Sequence, residues 1–246
     1  MKVVFLGTGE AFDEHLPNNS QLIIGKKVLL LDCGYAIPHA LWKYNANPSF
    51  IDAIYITHAH ADHYFGLPMI ILRMMEEGRK KDLTLFCQKG MKEMIQHVLS
   101  LAYRTLQNVS FLKIIEVDEG QQVKYNELLF TFAYSTHSTK NLAIRISAKN
   151  KVVCYSGDGM FTERSEHLYK NADLVIHESF KIDEELHGHA TIKKVIEMAK
   201  KNNVKCLALT HIQRKTRWKE TKQILKLMKS AQTKIIMPKP LDEMRF

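Results

Sequence analysis

The sequence predicts an α/β fold whose chemistry is gathered at strand ends. Three observations lead there. Short apolar, β-branched runs recur along the chain, helical patterns separate them, and several of the runs stop at a His or an Asp. No Pro/Gly/Ser-rich linker, low-complexity tract or fixed-period repeat interrupts the 246 residues, so one domain over 1–246 is expected. At 46% hydrophobic and 25% charged residues, such a chain can bury a sizeable core.

Residues 2 to 6 (KVVFL) form the first strand and stop at Gly7-Thr8-Gly9. That pair of glycines lacks the third glycine and the βαβ setting of a dinucleotide fingerprint, so it reads as a tight turn beneath the site. Residues 21 to 31 (QLIIGKKVLLL) read as a hairpin through Gly25-Lys26-Lys27 that ends at Asp32-Cys33-Gly34. The strand at 52 to 57 ends at His58, that at 128 to 136 at His137, and that at 151 to 157 at Asp158. Residues 173 to 176 end at His177-Glu178, and 204 to 210 at His211. Helical periodicity occupies 66 to 77, 90 to 105, 191 to 202 and 219 to 230. One histidine after a strand is ordinarily structural. His58, His137, Asp158 and His211 all take that position, and strand ends on one sheet edge converge in space.

Composition excludes several classes. The apolar run before Gly7 is too short for a signal-peptide core, and no run approaches the ~20 residues of a membrane span, so no membrane association is expected. Cys33, Cys87, Cys154 and Cys206 are widely spaced with no CxxC pair, which argues against a zinc ribbon or a disulfide framework and for a reduced, cytoplasmic setting. The net charge of +9 is uneven: residues 186 to 246 hold 15 Lys+Arg against 4 Asp+Glu. Arg214, Lys215, Arg217 and Lys219 follow His211 directly, so positive charge is expected beside the site, where it attracts a phosphate-bearing substrate. Lys222, Lys226 and Lys229 read as a solvated helix face, Trp218 as an ordinary packing residue, and Met69, Met74 and Met75 as core.

The chemistry is densest in YITHAHADHYFGLP, residues 55 to 68, with His58, His60, Asp62 and His63 within six positions. Imidazole and carboxylate suit zinc, manganese or iron. His58-x-His60 can grip one ion from the turn leaving a strand, while Asp62 and His63 at a helix start point at a second. Further ligands must come from elsewhere, and His137, Asp158 and His211 are the obvious donors. From this chain's His and Asp frequencies, HxHxDH arises by chance about once in a thousand such sequences.

This pattern, followed by STHS, YSGD, VIHESF, GHAT and LTHI and preceded by FLGTGEAF and LLLDCG, resembles the metallo-β-lactamase superfamily over nearly the whole chain, and within it the RNase Z-like branch. The resemblance implies an αββα sandwich: two mixed β-sheets face to face, helices outside, metals at one edge. It implies two divalent ions, Zn²⁺ first with Mn²⁺ or Fe²⁺ as alternatives. One is held by His58, His60 and His137, the other by Asp62, His63 and His211, with Asp158 bridging. Asp62, His189 and Glu178 are the catalytic residues it implies, His189 protonating a leaving oxygen and Glu178 charging and aiming it. His189 has a structural alternative near the start of an amphipathic helix whose apolar face is Ile192, Val195, Ile196 and Ala199.

The function expected is a dinuclear metal-dependent phosphodiesterase acting on RNA ends or small phosphodiesters by attack of a metal-activated hydroxide. A homodimer is what the family suggests. The sequence departs from the branch in two places. Only 20 residues separate His137 from Asp158, leaving no room for the long tRNA-binding arm of the bacterial enzymes, and Gly-Met-Phe-Thr follows Asp158 where that branch usually has Thr-Arg. Two alternatives stay open: a thioester or lactone hydrolase on the same scaffold, and a non-catalytic nucleic-acid-binding module.

Overall fold

A computed structural model describes residues 1–246. Its strands are β1 (Lys2–Gly7), β2 (Ser20–Ile24), β3 (Val28–Leu31), β4 (Ala53–Ile56), β5 (Leu83–Gln88), β6 (Leu112–Val117), β7 (Gln122–Tyr125), β8 (Leu128–Ser135), β9 (Asn141–Ala148), β10 (Lys151–Tyr155), β11 (Leu174–Glu178), β12 (Cys206–Thr210), β13 (Lys234–Ile236) and β14 (Glu243–Arg245). The helices are α1 (Ile37–Tyr44), α2 (Ala61–Tyr64), α3 (Leu67–Glu76), α4 (Lys92–Ala102), α5 (Glu163–Tyr169), α6 (Ile192–Lys201), α7 (Arg214–Lys219) and α8 (Thr221–Ser230).

The strands build two seven-stranded sheets, ordered β14-β1-β2-β3-β4-β5-β6 and β13-β12-β11-β10-β9-β8-β7. Both follow one plan. In the first, β14, β1, β2 and β3 pair antiparallel, then β3 to β6 pair parallel. In the second, β7 to β10 pair antiparallel, then β10 to β13 pair parallel. The expected hairpin at 21 to 31 is β2–β3, with Ile24 opposite Val28. Matching buried carboxylates brace the two sheets: Asp52 accepts from Val28 N and pairs with Lys27 and Lys81, and Asp173 accepts from Val152 N and pairs with Lys205.

Three apolar layers separate the sheets and helices, as an αββα sandwich requires. Between the sheets lie Val3, Phe5, Leu29, Leu31 and Tyr55 of the first and Phe130, Phe132, Tyr155 and Ile176 of the second. The alternate residues Val4, Leu6, Leu30, Ile54 and Ile56 face α1, α3 and α4 on one outer side. Cys154, Val175, Leu207 and Leu209 face α5, α6 and α8 on the other. Strands covered on both faces have no polar side, which is why they read as continuous apolar runs.

Helix ends follow local chemistry. Thr162 caps α5 in a capping box with Ser165, and Thr191 caps α6 by accepting from Lys194 N, each cap worth about 1 kcal/mol. Val195 and Ala199 of α6 are buried as expected, with Met198 beside them, while Ile196 is only half-covered. The predicted helix at 219 to 230 is α8, starting at Thr221; a short helix not expected from the sequence, α7, precedes it, and Glu220, at φ −114° and ψ 12°, separates the two. Met74 is buried, whereas Met69 is exposed at the surface of α3. All four cysteines are buried and unpaired. The interval between His137 and Asp158 is filled by the β9–β10 hairpin, so nothing projects from it.

Candidate metal centre

The parallel strands β4, β10, β11 and β12 leave their sheets toward the same edge, and so does β8, one antiparallel strand removed from β10. His58 follows β4, His137 follows β8, Asp158 follows β10, Glu178 closes β11 and His211 follows β12. His60 and Asp62 come from the short turn that starts α2. His211 itself has a positive φ of 52°, a left-handed conformation held by its N–H donating to Thr8 O at 2.9 Å. Thr8 sits between Gly7 and Gly9. A Cβ on Gly7 would lie 2.1 Å from Asn18 O and one on Gly9 2.5 Å from Leu16 O, so these glycines admit a backbone that folds back under the site.

The side chains meet in two abutting groups. In one, His58 Nε2 and His137 Nε2 each lie 3.1 Å from His60 Nδ1. In the other, His63 Nε2 lies 3.2 Å from Asp62 Oδ2 and 3.4 Å from Asp158 Oδ1, and His211 Nε2 lies 3.4 Å from Asp62 Oδ2 and 3.3 Å from Asp158 Oδ2. Asp158 also comes within 3.9 Å of His137 Nε2, so this carboxylate faces both groups. Within this buried cluster, His63 Nε2 and Asp158 Oδ1 have no hydrogen-bond partner. Orphaned inward atoms, three ring nitrogens crowded together and an all-imidazole and carboxylate donor set fit divalent cations.

The outward Nδ1 atoms of His58, His63 and His137 are held, whereas that of His211 has no partner. Asp32, also at positive φ, accepts from His63 Nδ1 at 2.7 Å, from Thr57 N and Oγ1 at 2.8 Å, and from Tyr155 Oη at 2.8 Å. His137 Nδ1 donates to Gly188 O at 2.6 Å, and His58 Nδ1 lies 3.0 Å from Thr57 Oγ1. Such partners set ring orientation and tautomer. Asp32, Thr57 and Tyr155 were not singled out from the sequence. Asp32 does end a strand, as the predicted ligands do, and that position is the one signal that marks it.

Electrostatics follow from burial. On its own, burial lowers His63 and His211, yet Asp158, Asp32 and Asp62 hold His63 well above the ordinary histidine value, and Asp158 and Asp62 hold His211 up to about 9. Burial and the neighbouring His63 push His58 well down, and burial with His137 lowers His60. Asp62 and Asp158, which burial by itself would raise, are held below the carboxylate range by His63 and His211.

His189 stands beside both groups, its ring 5.2 Å from that of His137 and 6.3 Å from that of His211. Its Nδ1 donates to Glu178 Oε1 at 3.2 Å, and the same oxygen accepts from Gly159 N and Ala190 N. Burial would lower His189; its bond to Glu178 and that carboxylate's charge raise it instead. Phe180 stacks on the ring at 4.2 Å and 18°, a clamp that sequence reading left unassigned although it is the last residue of HESF. His177, by contrast, points away into the layer beneath α5, against Tyr169 and Phe161.

A cleft of about 440 Å³ opens above the groups, lined by His60, Asp62, His137, Asp158, His189 and His211 and rimmed by Glu10, Phe12, Tyr35 and Arg214. The positive charge expected there is partly cancelled. Arg214 pairs with Glu10, and Arg217 pairs with Asp13 at 2.5 Å, tying α7 to the loop after β1. Trp218 packs near His15, their rings 5.4 Å apart.

Comparison with known proteins agrees with this geometry. The ribonuclease Z of Methanothermobacter thermautotrophicus is 28% identical over 282 aligned positions, covering 92% of this chain and 90% of that one. The ribonuclease Z of Bacillus velezensis is 26% identical over 273, covering 86% and 88%. Among solved structures, the metallo-β-lactamase fold protein YhfI of Bacillus subtilis superposes with a TM-score of 0.85 at 21% identity, covering 99% of this chain and 98% of that one. The short form of human tRNase Z gives 0.80 at 21% identity over 100% and 99%. The fold is thus that of the metallo-β-lactamases and the relationship is RNase Z-like. A sequence profile matches residues 1–234 and places the chain more narrowly: it belongs to the family of the anti-Pycsar protein Apyc1.

Proposed function

We propose that the protein is a metal-dependent phosphodiesterase with two divalent ions, one bound by His58, His60 and His137, the other by Asp62, His63 and His211, with Asp158 shared. The observation that carries this is the pairing of two abutting cation-fitting groups with an imidazole held by a buried carboxylate within ring contact of both. When bound, the ions would supply Lewis acidity toward a phosphoryl oxygen and a water acidic near neutral pH.

This chain's own residues do the rest. Asp32, Thr57 and the Gly188 carbonyl keep the ligand rings aimed. Glu178 holds the proton on His189 Nδ1, which leaves Nε2–H to protonate the departing oxygen. Phe180 excludes water from one face of that ring. Zinc is the native metal on this reading, and manganese or iron would satisfy the same donors.

The RNase Z relatives point to an RNA end and the absence of a projecting arm to a small phosphodiester, so folded tRNA should be cut weakly and without site selectivity. Four buried, unpaired cysteines support a cytoplasmic setting, and no helix is long and apolar enough to cross a membrane. A homodimer completes the proposal, to be read by sedimentation. The decisive test is elemental analysis of purified protein, followed by turnover of bis(p-nitrophenyl) phosphate against thioester and lactone substrates. Two ions per chain and fastest turnover of the diester are expected. Faster thioester or lactone cleavage would move the protein to a different hydrolase class.

A further inference from the structure

At the lip of the cleft stands a side chain that packing does not explain. Phe12 is 75% exposed, yet it lines the cleft from a loop held by several hydrogen bonds and ion pairs. Its own N–H donates to Glu10 Oε2 at 2.8 Å, and Glu10, buried, pairs with Arg214 of α7. One residue later, the fully buried carboxylate of Asp13 accepts from His15 N and Leu16 N and pairs with Arg217. Across the cleft mouth, Tyr35 Oη donates to Ala11 O at 2.5 Å. Two buried acids, two arginines and a tyrosine therefore hold residues 10 to 13 in place while the phenyl ring between them touches little.

A floppy tip would let the ring fold down onto apolar surface, as the hydrophobic effect favours. Here the brace prevents that. The Arg214 guanidinium lies 5.9 Å from the ring centroid, so the ring and a cation line the same cleft as His60 and His189. A rigid, uncovered aromatic face beside a phosphate-directed centre is the arrangement that receives a planar π-system carried on the substrate.

We infer that Phe12 is a specificity-determining residue: it stacks a nucleobase attached to the scissile phosphate, and the Glu10–Arg214 and Asp13–Arg217 pairs exist to present it. The inference takes its substrate from the phosphodiesterase reading, but binding alone tests it. Calorimetry on metal-loaded protein compares adenosine 5′-monophosphate with ribose 5-phosphate, which has the phosphate and sugar without the base. Phe12→Ala should weaken the nucleotide about 10-fold and leave ribose 5-phosphate unchanged, while Phe12→Trp should keep nucleotide affinity. Because the ring is exposed, its removal should not shift the melting temperature. Equal weakening of both ligands, unchanged nucleotide affinity, or no nucleotide binding by the wild type would each overturn the inference. Failure of the wild type to turn over bis(p-nitrophenyl) phosphate would instead sink the phosphodiesterase reading and leave the binding comparison to decide Phe12.

Discussion

Asp32 Oδ2 sits 2.7 Å from His63 Nδ1, and neither side chain reaches solvent. This carboxylate does not face the cleft, but it fixes which His63 nitrogen is free to point inward. Asp32→Ala should lower metal affinity about 10- to 100-fold, the usual effect of removing a ligand's outer partner. It should also cost at least about 3 kcal/mol of stability, because Thr57 and Tyr155 lose a buried acceptor. Chelator competition on the folded protein measures the first effect and denaturant unfolding the second. Wild-type affinity in the variant would rule out the orienting role.

Asp158 approaches side chains of both groups, so Asp158→Ala should lose or displace two ions rather than one. His60→Ala removes a donor from only one group and should leave the other occupied. Metal content per chain, measured after dialysis of each variant, separates the cases. An Asp158 variant that retains one tightly held ion and full activity would contradict the shared role.

His189→Ala should keep both metals and lose about 10² to 10⁴ in kcat. The loss should depend on the leaving group. A ribose 3′ oxygen needs the proton and p-nitrophenolate does not, so an RNA substrate should suffer more than the chromogenic diester. Glu178→Gln should show the same pattern at smaller amplitude, since Glu178 acts through the imidazole. Equal losses on both substrates would make His189 a phosphate-binding residue.

Metal uptake should release protons. Without metal, the carboxylates Asp158 and Asp62 keep His211 protonated up to about 9 and hold His63 higher than an ordinary histidine. The sign for the metal-free protein follows from linkage. A raised folded pKa gives stability that is complete below the unfolded value, near 6.5, and is lost as pH climbs through about 9. Metal binds the neutral rings, so affinity should rise over that same window. Calorimetry in buffers of different ionisation enthalpy should therefore give different apparent heats. Identical heats would mean the rings are already neutral.

Much of this was legible in the sequence because the strands are covered on both faces. VLLL and AIYI have no charged positions to mislead a reader, and each stops just before a side chain, Asp32 or His58, that reaches the sheet edge. What escaped was of two kinds. Strands such as β6 and β7 at the sheet margins mix polar and apolar residues, and their burial comes from partners remote in sequence. Asp32 escaped for a related reason: its donors Thr57, His63 and Tyr155 are 25, 31 and 123 residues away. The charge of α7 was visible, but its cancellation by Glu10 and Asp13 depends on a contact across more than 200 residues.

The two sheets share one plan, down to the braced Asp52 and Asp173, and their junction lies at the turn around Gly120. His58, His60, Asp62 and His63 come from the first half; His137, Asp158, His189 and His211 come from the second. On the proposed reading each half carries only part of the donor set, and β14 of the second half completes the first sheet. Fragments 1–119 and 120–246 should therefore bind metal only weakly alone, yet recover two ions and turnover when refolded together. The centre belongs to neither half: catalysis here is a property of a seam, and cutting the chain at its midpoint should turn a folding problem into an assembly problem.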